Sequence, residues 1–276
     1  MNKSLLSILF IICSLSSIPA FAQVTIAPTN LFIDHSSKFG TYMVINGSNQ
    51  TQEISIDFYF AYANLDKTGN RTIVRDDSAK AEQYSIADYV KAFPKNFKLA
   101  PGQRQIVRLR VAAPNTLSDG TYWSRIRTSS TPEAPPIEFQ AEQAVTAQVG
   151  IIVEQVTGLF YKKGTVNTDI EIEAIRPVRE DSKLTVYTDF LKKGNSPFLG
   201  SITTTLLDKA GKEIKTGFIF TSIYFDGSHR EELDISDLDK GSYTLKVTFE
   251  TNRTDISDRD VVSMKPVTQS TSFEIN

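Results

Sequence analysis

The residues able to do covalent chemistry are few. The sequence holds two histidines, His35 and His229, and one cysteine, Cys13. A histidine set between a serine and a carboxylate can run nucleophilic acyl transfer. His35 follows Asp34, and His229 lies in DGSHREE (226–232), but no glycine-flanked nucleophilic serine accompanies either. One cysteine and two histidines cannot assemble a cysteine/histidine zinc site. Asp226, Glu231, Glu232, Asp234, Asp237 and Asp239 crowd one stretch. Their spacing is not that of a helix-loop-helix calcium loop, so they read as solvated loops and strand ends. No glycine-rich phosphate loop precedes a helical pattern. The chain is therefore expected not to be an enzyme, with no catalytic residue, no metal and no cofactor.

The bulk composition fits a different task. Lysine and arginine number 30 against 32 aspartates and glutamates, a net charge of −2, which offers nothing to a nucleic acid. Hydrophobic residues make up 40% and charged residues 22% of the chain, the balance of a soluble globular protein. A length of 276 residues suits one large domain or two smaller ones.

Residues 1–22, MNKSLLSILFIICSLSSIPAFA, have the pattern of a secretory signal peptide. Lys3 supplies the positive start, an apolar run follows, and Ala20-Phe21-Ala22 is a small-x-small cleavage site. The run is too short to cross a bilayer. The expectation is cleavage after Ala22, loss of Cys13, and a soluble mature protein in the periplasm with no membrane insertion.

The rest of the sequence reads as short strands. In EISIDFYF, Ile54, Ile56 and Phe58 alternate with Ser55 and Asp57; in QIVRLRV, Val107, Leu109 and Val111 alternate with Arg108 and Arg110. Alternation with period two puts one face in a core and the other in water. SIADYVKAF (85–93) instead places Ile86, Tyr89, Val90 and Phe93 at helical spacing, so a helical turn is expected there. A second alternating set follows Thr157-Gly158, punctuated by turns at 193–195, 209–212, Asp226-Gly227 and Lys240-Gly241. The fold class is all-β: two β-sandwich domains, over 23–156 and 157–276.

One stretch is more specific. FPKNFKLAPGQRQIVRLRV (93–111) carries Pro94, Phe97, Leu99, Pro101, Gly102 and Gln105 ahead of Val107, Arg108 and Leu109. It resembles the periplasmic pilus-chaperone family, the PapD-like proteins built of two immunoglobulin-type domains. VTIAPTNLFID and DGTYWSRIRT (119–128) are similar to that family's first and F strands, and AVTAQVGIIVEQV (144–156) to its G strand. The resemblance covers roughly residues 23–156. It implies an ATP-independent chaperone that holds a fimbrial or surface-fibre subunit by β-strand donation, with an outer-membrane usher as a further partner. The donor row it implies is Val145, Ala147, Val149, Ile151 and Val153, which share one strand face. The family anchors the subunit's terminal carboxylate with an arginine on the first strand and a lysine on the G strand. Asn30 and Gly150 occupy those places here, so Arg125 and Arg127 on the preceding strand are candidate carboxylate or acidic contacts, beside the readings that the subunit is anchored differently or that the client is another.

Other readings stand beside this one. A structural or adhesive cell-envelope protein could use the same sandwich, with the row at 145–153 facing its own core. Arg104, Arg108, Arg110, Arg125 and Arg127 form a basic group that is either a solvated sheet face or a contact for an acidic terminus or an anionic envelope surface. Trp123, beside Tyr122, is expected in the core of the first domain.

Overall fold

The computed structural model describes residues 24–133 and 151–275. The expected signal peptide lies outside them, as do Val145, Ala147, Val149 and Gly150 of the expected G strand.

The first sandwich opens with β1 (Val24–Ala27), β2 (Asn30–Asp34), β3 (Phe39–Asn46) and β4 (Gln52–Tyr59). The short β5 (Tyr62–Leu65) and β6 (Arg71–Val74) follow, then helix α1 (Ser78–Tyr84) and a 3-10 turn over Ala87–Tyr89. β7 (Val90–Phe93), β8 (Asn96–Leu99), β9 (Arg104–Val111), β10 (Gly120–Pro132) and β11 (Val153–Lys163) complete it. One sheet runs β1-β3-β9-β7, the other β2-β11-β10-β4-β8, and β5-β6 form a hairpin apart. The alternations seen in the sequence set this packing. Ile54, Ile56, Val107, Leu109 and Val111 are buried in one core, with Phe58 packed against it, while Arg108 and Arg110 face out. Pro101-Gly102 makes the turn between β8 and β9, with Gly102 at φ 73°, an angle that favours glycine. VTIAPTNLFID breaks at Pro28: β1 pairs with β3 in one sheet and β2 with β11 in the other.

The helical turn expected over 85–93 is present only as the 3-10 turn Ala87–Tyr89. The α-helix lies earlier, at Ser78–Tyr84, where Asp77 caps it by accepting from the Lys80 amide at 2.9 Å. Residues 90–93 are strand β7, pairing with β9 from Val90↔Val111 to Phe93↔Arg108. Val90 and Ala92 are buried and Lys91 and Phe93 exposed, so over 90–93 the spacing reflects the two-residue period of a strand, which coincides with i, i+3, i+4 over a short run.

The second sandwich contains β12 (Thr168–Glu180), β13 (Lys183–Gly194), β14 (Phe198–Leu207), β15 (Glu213–Ile223), β16 (Gly227–Asp234), β17 (Gly241–Glu250) and β18 (Val267–Ile275). Its sheets run β12-β13-β16 and β15-β14-β17-β18, closing on Leu184, Phe190, Phe198, Leu245 and Phe249. The acidic stretch, expected as solvated loops and strand ends, supplies most of a strand: β16 pairs with β13 from Phe190↔Gly227 to Lys183↔Asp234, with His229 buried and Arg230 exposed. The boundary expected at 157 falls inside β11. That strand pairs with β10 as far as Gly120↔Lys163, so the link between sandwiches lies at 164–167.

Each sandwich carries the same corner. Tyr122 donates from its hydroxyl to the Ser118 carbonyl at 3.0 Å, and Tyr243 to the Asp239 carbonyl at 2.7 Å. The residues around them repeat a short pattern, LSDGTY (117–122) and LDKGSY (238–243), and Gly120 and Gly241 have φ of 157° and 156°. A tyrosine reaching back four residues at the start of a strand is a signature of immunoglobulin-type sandwiches. Two such corners make both halves immunoglobulin-like.

Candidate functional site

The face of the β2-β11-β10-β4-β8 sheet that points away from its own core carries the candidate site. Strand register lines its residues up in rows. Trp123, Phe160 and Phe32 form one row, Arg125, Gly158 and Asn30 the next, and Arg127 and Val156 the one after.

The first row is covered by the second sandwich. Trp123 and Phe160 are buried together with Leu199, Tyr224 and Ile256. Trp123 is 2% exposed, stacks on Tyr84 at 5.0 Å and meets Tyr224 at 4.9 Å. It therefore packs the junction between the sandwiches and not the first core, where the sequence alone would have placed it. Asp77 holds α1, and so Tyr84, in position. Its carboxylate also accepts from the Tyr62 hydroxyl at 2.7 Å. The Lys80 amide and that hydroxyl hold the Asp77 carboxyl below the usual range. Burial, helped by Asp77, pushes Tyr62 up to about 12. A cavity of about 300 Å³ opens beside Trp123, lined by Lys80, Tyr84, Lys192 and Phe225. Burial pulls Lys192 down to about 8, against the pull of Asp226.

The second row is open. A Cβ on Gly158 would stand 2.6 Å from Asn30 Oδ1 and 3.4 Å from Arg125 Nη1. Glycine thus leaves room for the Arg125 guanidinium and the Asn30 amide to lie over the strand. Arg125 donates to the Tyr224 hydroxyl at 3.0 Å, and its guanidinium carbon lies 5.7 Å from that ring's centroid. Among the described residues Arg125 has no carboxylate partner. Arg127 does: it lies 3.9 Å from Asp57 and 3.8 Å from Glu154. Lys162 lies 3.6 Å from Asp34.

The lane beside β11 is only half filled. β2 runs parallel to β11 from Asn30↔Gly158 to Asp34↔Lys162. Among the described residues no strand pairs with Val153–Thr157 on the side away from β10. This open edge is flanked by exposed Ile151, Ile152 and Val156. Unpaired strand edges of this kind accept strands from other chains.

The expected site residues are thus divided. Val145, Ala147 and Val149 lie outside the described residues. Ile151 is exposed just ahead of β11, and Val153 is half-buried at its start. Further along the same strand face, Leu159 and Tyr161 enter the first core. Of the two arginines, Arg125 is held by the Tyr224 hydroxyl with no carboxylate partner among the described residues, and Arg127 lies beside Asp57 and Glu154. Register puts Gly158 opposite Asn30 on β11. The five-arginine group does not exist as one surface: Arg104, Arg108 and Arg110 are on β9, in the sheet opposite β10. Tyr224, which holds Arg125, was not singled out in the sequence; nothing in SIYFDG distinguishes it until the second sandwich is docked. Among the described residues no group of three or more histidine, cysteine or acidic side chains could hold a metal ion.

Fold and site together define a two-sandwich β protein with an open strand edge leading into an arginine at the inter-domain cleft. Neither a protein-family model nor a curated protein matches the sequence. Among solved structures, it is similar to the chaperone in the CsuC-CsuE chaperone-tip adhesion subunit pre-assembly complex from archaic chaperone-usher Csu pili of Acinetobacter baumannii. That likeness has 11% identity and a TM-score of 0.45, covering 90% of this chain and 98% of that one. It is also similar to the YadV chaperone (12% identity, TM-score 0.44, 92% and 100% covered). The E. coli chaperone DraB gives 16% identity and a TM-score of 0.42, with 92% and 98% covered.

Proposed function

We propose that this protein is a periplasmic chaperone for fimbrial or surface-fibre subunits, holding its client by strand addition along β11 without ATP. The open edge at Val153–Thr157 carries this reading. An extended client segment there would occupy the same lane as β2 and stop where β2 begins, at Asn30. Arg125 lies at that stop, free of carboxylate partners and beside Gly158. A chain end with a terminal carboxylate suits the place, because a guanidinium pairs a carboxylate through two parallel hydrogen bonds. With its C-terminus at Arg125, the client strand runs parallel to β11. Main-chain hydrogen bonds give affinity, and the row Val145, Ala147, Val149, Ile151 and Val153 gives the apolar contacts. The fold needs no bound group for this, and no step breaks a covalent bond. An outer-membrane usher would receive the loaded client.

The alternative, a structural envelope protein, requires the edge to be covered within its own assembly. Arg125→Gln separates the two. Removing one partner of a desolvated charge pair costs about 2–5 kcal/mol, so client affinity should fall about 30-fold or more in a titration. Arg127→Gln, already paired and partly exposed, should change it by less than about fivefold. Equal affinities for Arg125→Gln and the unchanged chain would remove the carboxylate anchor.

A further inference from the structure

The outer face of the β1-β3-β9-β7 sheet has no place in the reading above. It lies on the far side of the first sandwich from the cleft. Side chains at alternating positions of β3, β7 and β9 line it. Arg104, Arg108 and Arg110 on β9 and Lys91 on β7 are all exposed there. Among the described residues none of these four cations pairs with a carboxylate. The same face presents Phe39 at 61%, Ile106 at 58% and Phe93 at 55% exposure. Register sets the rings against the cations: Phe39↔Arg110, Phe93↔Arg108 and Lys91↔Arg110. The acidic side chains that outnumber the basic ones in the whole sequence are missing from these strand positions.

We infer that this face docks on an anionic phospholipid surface. The charge is complementary and concentrated on one side of a protein that is acidic as a whole. The interleaving favours a bilayer over a protein partner. Here a cation adjoins each exposed ring, and among the described residues no acidic side chain shares these strand positions to balance the four cations, the pattern of a polybasic patch held at an anionic lipid surface. A bilayer surface answers both groups at once: phosphates pair with guanidinium groups, and the acyl boundary takes up aromatic rings. The contact is peripheral and leaves the open edge of β11 on the opposite sheet free.

The test is sedimentation of the mature chain, recovered after export, with vesicles of phosphatidylglycerol and phosphatidylcholine or of phosphatidylcholine alone. Binding is expected only with phosphatidylglycerol, and is expected to weaken as salt screens it. At about fivefold per cation, the Arg108→Gln/Arg110→Gln protein should bind about 30-fold more weakly. Phe39→Ser/Phe93→Ser should weaken binding at unchanged charge. Lys212→Gln, in a turn of the second sandwich, should leave it as it was. Thermal melting of each variant shows that the fold is intact. No phosphatidylglycerol-dependent binding at low ionic strength would overturn the inference. So would a folded double-arginine variant that binds as tightly as the unchanged chain, or an acidic protein held on this face while vesicles are ignored.

Discussion

A Val149→Glu protein is expected to fold as the unchanged chain does and to lose its client by about 100-fold or more, because a carboxylate forced into an apolar groove has no partner there. The expectation follows from the proposed donor row, in which Val149 would share a strand face with Ile151 and Val153. Ile151 is exposed, and Val153 begins the open edge. A glutamate at 149 therefore tests whether the donor row reaches upstream of the described part of β11. The measurement is a client titration beside a melting curve. An unchanged melting temperature with the client lost supports strand donation. Full client affinity in the variant would confine the contact to residues 151–157. A large loss of stability would assign Val149 to the protein's own core, as the structural-protein reading requires.

Trp123→Ala should cost about 3–5 kcal/mol of stability. The ring fills space between the sandwiches, stacked on Tyr84 and set against Tyr224 and Phe225. Its indole nitrogen has no partner among the described residues, so truncation leaves no orphaned acceptor and the cost is packing. The effect should extend beyond stability. Arg125 bonds to Tyr224, whose ring rests on Trp123, so loosening the junction should also weaken the client. Calorimetry should show the two sandwiches melting more independently than in the unchanged chain. A loss under about 1 kcal/mol, with the melting profile unchanged, would contradict the role given to this ring.

Much of the fold is legible in the sequence because β-structure writes its burial in a period of two. Ile54, Ile56, Val107, Leu109 and Val111 announce their core directly. β16 was hidden because the face that brings Leu233 into the core also carries His229 and Glu231, polar residues that alternation by hydrophobicity cannot see. The 157 boundary was misplaced because β11 changes surroundings midway: the Val153–Thr157 half is open at one edge, and the Gly158–Lys163 half is packed between β10 and β2. Thr157-Gly158, where one alternating run gives way to the next, lies within a single strand. The place of Arg125 in the cleft, on which the proposed carboxylate contact rests, was half legible. Its position on the strand before β11 singled it out, but its separation from Arg127 depends on Asp57 and Glu154 taking one guanidinium and Tyr224 the other. Those are long-range contacts that no local pattern encodes.

The direction and register of the client strand test the central claim most directly. Cys13 is the sole cysteine and lies in the expected signal peptide, so a cysteine introduced into the mature chain reports alone. Single substitutions from Ile151→Cys to Val156→Cys would be paired with single cysteines along the client's terminal segment, and disulfide yield measured. The account predicts one register: moving one residue toward the C-terminus on this chain is matched by one residue toward the C-terminus on the client, with the client's end at Arg125. Yields that rise in the opposite order, or no disulfide at any position while the client remains bound, would contradict parallel strand addition on β11.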